Sequence, residues 1–167
     1  MKKLILIGGT MGVGKTTIGQ QLKKKLNYSV FLDGDWCWDM HPFVVNDETK
    51  KMVMDNICFQ LNSFLKCSHF DYVILGWVMH QQSIIDTILE RLDLTDIQVY
   101  SLSIICSKET LRNHIQKDID LGMRKEDVLE RSLERLDLYQ NLDTIKIDIT
   151  NLSVEESVER IYEIILK

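Results

Sequence analysis

The 167-residue chain has one proline, Pro42, only eight glycines, and no Gly/Ser-rich or low-complexity stretch. Nothing in it reads as an interdomain linker, an internal repeat or a domain boundary. It has no apolar run approaching the roughly 18–20 residues that a membrane helix needs. The opening MKKLILIGGT pairs lysines with a short apolar run that passes straight into glycine, too short for a secretory leader. The four cysteines (Cys37, Cys58, Cys67, Cys106) show no C-x-x-C spacing and no His/Cys ligand cluster. They are expected to be reduced thiols of a cytoplasmic protein, used mostly as core filler. Basic residues are the minority, 20 Lys+Arg against 25 Asp+Glu, which argues against a nucleic-acid polymer as partner. What is present is 45% hydrophobic and 27% charged sequence, enough for one core in a single domain spanning residues 1–167.

The hydrophobic pattern alternates between two periods. Leu4–Ile7 is a continuous apolar run closed by Gly8-Gly9, as expected of a strand buried on both faces. Ile18, Leu22 and Leu26 then recur every four residues, predicting a helix of about three turns. Ser29–Leu32 is a second short strand, ended by Asp33-Gly34-Asp35. A helix follows from about Glu48 to Lys66, capped by Asn46 or Asp47. Tyr72–Leu75 is a third strand, stopped at Gly76, and Ile84, Ile85, Ile88, Leu89 and Leu92 mark the next helix. Ile97–Cys106 is a fourth strand, and Ser107 caps a helix carrying Leu111 and Ile115. A polar stretch, Lys117–Lys125, leads into a helix with Leu129, Leu133 and Leu136. Thr144–Ile149 is a fifth strand, and a capping box, Ser153-x-x-Glu156, opens a last helix burying Val154, Val158, Ile161 and Ile165. Short apolar strands alternating with helices imply an α/β protein, a parallel sheet between two helical layers. Ligands of such sheets bind beyond the C-terminal strand ends, here Gly9, Asp33, Asp35, Gly76 and Trp77.

One motif in that position is complete. Gly9-Thr10-Met11-Gly12-Val13-Gly14-Lys15-Thr16 satisfies G-x-x-x-x-G-K-[ST], between a buried strand and a helix. Its glycines let backbone N–H groups converge on phosphate oxygens, and the helix start adds its positive dipole. Lys15 is expected to reach the β- and γ-phosphates, Thr16 to place its hydroxyl on Mg²⁺, and Thr17 to join the nucleotide-binding set. No N-K-x-D guanine-reading motif is present, and the third strand ends Leu75-Gly76-Trp77 without an acid for a metal-bound water. The carboxylates follow the second strand instead, as Leu32-Asp33-Gly34-Asp35. Asp33-Gly34-Asp35 is also compatible with a plain polar turn.

A phosphate loop followed by Leu-Asp-Gly-Asp at the end of the second strand resembles the small-molecule and nucleotide kinases of the P-loop NTPases. That family includes gluconate, shikimate, adenylylsulfate and chloramphenicol phosphotransferases. The resemblance implies a three-layer α/β/α P-loop NTPase fold with a five-stranded sheet ordered 2-3-1-4-5. It implies ATP and Mg²⁺ as donor and cofactor, Asp35 as the acceptor-side carboxylate and Asp33 as the metal-side one. It also implies a lid after the fourth strand, here about residues 117–125, that brings an arginine to the phosphates. Independently, phosphoryl transfer asks for positioning, charge neutralisation and one group near the nucleophile's proton, which a carboxylate supplies.

Arg124 ends the lid segment. Spaced 7 and 4, Arg124, Arg131 and Arg135 are expected to share a helix face, although Asp127 and Arg131 also form an ordinary i,i+4 pair. The segment Asp35-Trp36-Cys37-Trp38-Asp39-Met40-His41-Pro42 places aromatic groups beside the acceptor position, and Trp77 and His80 end the neighbouring strand. Trp36, Trp38, Trp77 and His80 are thus candidate acceptor-binding residues, with helix-to-sheet packing as the alternative for each tryptophan. Asn151, after the fifth strand, is a candidate on the side of the nucleotide base, or a turn residue. These features imply a phosphotransferase for a small-molecule or nucleotide acceptor. A nucleotide-binding regulatory NTPase and a phosphate-releasing tailoring enzyme are the competing expectations.

Overall fold

The computed structural model describes residues 1–167. Five parallel strands form one sheet in the order β2-β3-β1-β4-β5. They are β1 (Lys2–Gly8), β2 (Ser29–Asp33), β3 (Tyr72–Trp77), β4 (Ile97–Ile105) and β5 (Ile145–Asp148). The helices are α1 (Lys15–Lys25), α2 (Asp47–Lys66), α3 (Gln82–Glu90), α4 (Lys108–Asp120), α5 (Val128–Leu136) and α6 (Val154–Leu166). Two 3₁₀ turns, Gly34–Trp38 and Asp137–Asn141, complete the chain. The expected fold class, strand number and strand order are all present.

Side chains of a strand point alternately to the two faces of a sheet. Central β1 therefore divides the core in two. Ile5 and Ile7 join Ile18, Leu22, Ile115 and Ile161 on one face, while Leu4 and Leu6 join Ile57, Leu61, Ile85 and Ile88 on the other. A strand apolar at every position is the sequence expression of that double burial. Strand register fixes where the sheet ends. Gly8 pairs with Trp77, and Asp33 pairs with Gly76. The start of the phosphate loop, the end of β3 and the Asp33 carboxylate therefore emerge at the same level, at the edge where such sheets take ligands.

Several local expectations are corrected. β3 runs through Gly76 to Trp77, because Gly76 still pairs with Asp33. Lys117–Asp120 are the last turn of α4, so only residues 121–127 lie between the helices. Arg124 therefore precedes α5, and it cannot share a helix face with Arg131 and Arg135. Val154, expected in the core, is 36% exposed at the first position of α6. Of the cysteines only Cys58 is buried, and Cys67 is exposed at the end of α2. Asn46 is the cap of α2, exchanging hydrogen bonds with Thr49 in a capping box.

Helix α1 reaches the sheet through Gly19, where an added Cβ would stand 2.3 Å from the buried Phe31 ring. The absence of a side chain there sets the close approach that delivers the N-terminus of α1 to the sheet edge. Gly19→Ala is expected to destabilise the protein by about 1–3 kcal/mol through overpacking, measured by denaturant unfolding. Phe31→Leu in the same chain should recover part of that loss, and purely additive losses would show that the ring is not the obstacle.

Candidate active site

The phosphate loop leaves β1 and turns back into α1 through two residues in the left-handed region, Gly12 (φ 80°) and Gly14 (φ 111°). An L side chain rarely adopts either conformation. A Cβ on Gly12 would also strike Ile115 at 2.5 Å. Gly14 is the N-cap of α1, with no side chain taking up the first helical N–H groups. Those unpaired donors face the cleft at the positive end of the helix, an anion-binding arrangement. Val13 is fully buried, so it anchors the loop and offers only backbone to the cleft.

Lys15 opens α1 and curls back over the loop, its Nζ donating to the Thr10 carbonyl at 2.9 Å. Burial lowers its pKa to about 8, against the opposing pull of Asp35 and Asp33, and Arg124 adds to the lowering. The neighbouring Thr16 hydroxyl donates to Asp33 Oδ2 at 2.6 Å. The other Asp33 oxygen accepts the Asp35 backbone N–H at 3.0 Å, so the same carboxylate caps the 3₁₀ turn that carries Asp35. Asp35 opens into the cleft. Burial and then Asp33 push its pKa up, while Lys15, Arg124 and the Trp77 side chain favour its charge.

A cleft of about 570 Å³ brings together Lys15, Thr16, Thr17, Asp35 and Arg124, with Met11 to Gly14 as its floor. Arg124 reaches it from the loop between α4 and α5, its Nε donating to Asp118 at 2.8 Å. Gly9 and Thr10 stand behind this surface. Thr10 is fully buried, and its hydroxyl donates to the Ser132 carbonyl at 2.8 Å, tying the loop to α5.

The remaining expected residues scatter. Trp77 packs against Gly34, where a Cβ would meet its ring at 2.3 Å, and lies close enough to influence Asp35. Trp38 packs over α2 and tilts against Phe43 at 5.9 Å, while Trp36 turns the other way, edge-on to Phe31. His80 is half-buried with Nδ1 unpartnered, and burial and then Arg135 lower its pKa. Asn151 is exposed in the turn after β5 and stands outside the cleft lining. Its neighbours Ile149, Leu152 and Ser153 line the cleft instead.

Sequence reasoning missed the opposite wall, formed by His114, Lys117, Asp118 and Leu121. Their spacing of 3, 1 and 3 puts them on one face of α4 and its end, a signal that was available. Arg135 forms no ion pair and is close enough to act on both His80 and the buried Tyr139. No group of three or more His, Cys, Asp or Glu side chains could hold a metal here. The oxygen pair Thr16 and Asp33 suits a hard cation that takes its other ligands from phosphate and water.

A family model described as an AAA domain matches residues 5–136. A protein of Pyrococcus abyssi (strain GE5 / Orsay) named "Putative adenylate kinase" is 28% identical over 162 residues, covering 97% of this chain and 83% of that one. Among solved structures, the Deinococcus radiodurans tunicamycin resistance protein superposes with a TM-score of 0.71 at 15% identity, covering 99% of this chain and 96% of the other. A gluconokinase from Sinorhizobium meliloti 1021 superposes with a TM-score of 0.68 at 17% identity, covering 98% and 95%. These low identities speak for the fold.

With its pKa near 8, Lys15 loses its charge as the pH rises through that value. Affinity for a nucleoside triphosphate should therefore be constant below about pH 7.5. Above pH 8 it should fall by at most about tenfold per pH unit, since one proton is linked. Titration calorimetry between pH 7 and 10 measures this, and a flat profile to pH 10 would assign Lys15 an ordinary lysine pKa.

Proposed function

This chain belongs to the AAA domain family, and on that premise we propose that it is an ATP- and Mg²⁺-dependent phosphotransferase acting on a small-molecule or nucleotide acceptor. The observation that supports this most is the convergence of Lys15, Asp35 and Arg124 on one cleft above the phosphate loop. A protein that only held nucleotide would need the loop, but not a carboxylate on the opposite side with its pKa raised toward neutrality.

In this reading the N–H groups at Gly12 to Lys15 hold the phosphates, and Lys15 swings from the Thr10 carbonyl onto the β- and γ-oxygens. Its buried charge counts for more there than in water, because the surrounding dielectric is low. Thr16 and, through water, Asp33 would hold Mg²⁺, which when bound neutralises charge on the phosphates. Asp35 orients the acceptor's hydroxyl and takes its proton. The raised pKa brings the carboxylate closer to its proton-transfer task. Arg124 spreads positive charge over the phosphoryl group, and its ion pair with Asp118 aims the guanidinium before any ligand arrives.

Asp35→Asn keeps shape and hydrogen bonding but removes the base. It should lower kcat by about 10²–10⁴ while ATP affinity stays near normal. Acceptor-dependent ADP release and product mass measure this, and full-rate transfer by Asp35→Asn would leave Asp33-Gly34-Asp35 as a turn only. Lys15→Ala should lose both triphosphate affinity and turnover in a folded protein.

Arg124→Ala should lower kcat more than it raises the KM for ATP, because a charge matched to the transferring group acts mainly in the transition state. Steady-state kinetics on the variant decide this. A change confined to thermal stability would make the Arg124–Asp118 pair purely structural.

A further inference from the structure

We propose, resting on the phosphotransferase reading above, that Trp77 is a positioning residue: its indole N–H holds the Asp35 carboxylate at the angle from which it meets the acceptor's hydroxyl. Strand register sets the two side by side. Gly76 pairs with Asp33 and Gly8 with Trp77, so the last residue of β3 stands between the start of the phosphate loop and the turn that carries Asp35. An added Cβ on Gly34 would lie 2.3 Å from Cγ and 2.4 Å from Cδ1 of the indole. Gly34 is not among the glycines with positive φ, which are Gly12, Gly14 and Gly122. The glycine of Asp33-Gly34-Asp35 is therefore explained by the ring that lies on it and not by a turn that demands it. The other two tryptophans point away, Trp36 to Phe31 and Trp38 to Phe43.

Asp35 has little else to hold its side chain. Asp33 fixes its backbone N–H only. Of the cleft's cations, Lys15 donates to the Thr10 carbonyl, Arg124 is seated on Asp118 and Lys117 stands on the α4 wall. Asp33, Lys15 and Arg124 act on Asp35 through charge alone, while the Trp77 side chain acts as a hydrogen-bond donor. The indole N–H is the only polar group of a tryptophan side chain, and one carboxylate oxygen engaged by it leaves the other for the acceptor. In the transfer, the acceptor oxygen forms a bond to the γ-phosphorus as the bond to the β–γ bridging oxygen breaks. The hydroxyl proton passes to Asp35, and ADP leaves. Trp77 takes no part in these bonds; it removes the side-chain rotation that would carry the carboxylate out of line.

Nuclear magnetic resonance of the indole N–H groups tests the contact without a change at Trp77. Of the three tryptophan signals, the one that persists in both Trp36→Phe and Trp38→Phe belongs to Trp77. It should move upfield in Asp35→Asn, where it loses its charged acceptor. ADP release is then read with MgATP and, in turn, water, AMP, gluconate and chloramphenicol as acceptor. With the best of these, Trp77→Phe should lower kcat by about tenfold to a hundredfold, the scale of a hydrogen bond to a charged group. The KM for ATP should stay within about twofold, because the phosphate loop is untouched. Added to Asp35→Asn, Trp77→Phe should lower kcat no further, since its effect runs through that carboxylate. A Trp77 signal indifferent to Asp35→Asn, an unchanged kcat or fully additive losses would overturn the positioning role and leave the phosphotransferase reading standing. No ADP release by the wild-type protein with any acceptor would overturn that reading, and the positioning role with it.

Discussion

Asp33 accepts a hydrogen bond from each half of the cleft, from the Thr16 hydroxyl on α1 and from the Asp35 backbone on the turn after β2. The two halves, Thr16 and Asp35, are 19 residues apart in sequence and are separated by a strand in the sheet, since β3 lies between β1 and β2. One buried carboxylate thus sets the distance between the loop that would hold phosphate and the side chain that would meet an acceptor. Its two oxygens are both occupied, which makes its position hard to vary without losing one contact.

That constraint works only because the elements around it are rigid. Gly19 lets α1 lie against Phe31, and the β2–β3 register puts Asp33 level with Gly76 at the sheet edge. Thr10, buried under α5, stops the loop from lifting away. The charged groups then act on one another at short range. Lys15 loses part of its proton affinity to burial while Asp35 gains some, and each opposes the other's shift. Burial thus displaces the two groups in opposite directions within one cleft, the lysine downward and the aspartate upward.

Much of this was legible in the sequence, for reasons that can be named. The phosphate loop is local: its glycines, Lys15 and Thr16 are needed at fixed offsets, so a short stretch carries the whole device. The fully apolar β1 and the helix-strand alternation declare a sheet covered on both faces. The 2-3-1-4-5 strand order came from resemblance to a known family, because no periodicity encodes which strands are neighbours. Errors fell at element ends. Lys117–Asp120 are polar but helical, and Val154 is apolar but sits at the open first turn of α6, where little covers it.

By itself the sequence determined the phosphate loop, the alternation of elements and the presence of two acids after the second strand, all set by contiguous residues. Only the tertiary structure decided which distant groups meet. It seats Arg124 on Asp118, points Trp36 and Trp38 to different sides, leaves Asn151 outside the cleft and lines that cleft with one face of α4. Those outcomes depend on crossovers, helix lengths and register, which sum contributions from the whole chain and leave no mark at any single residue.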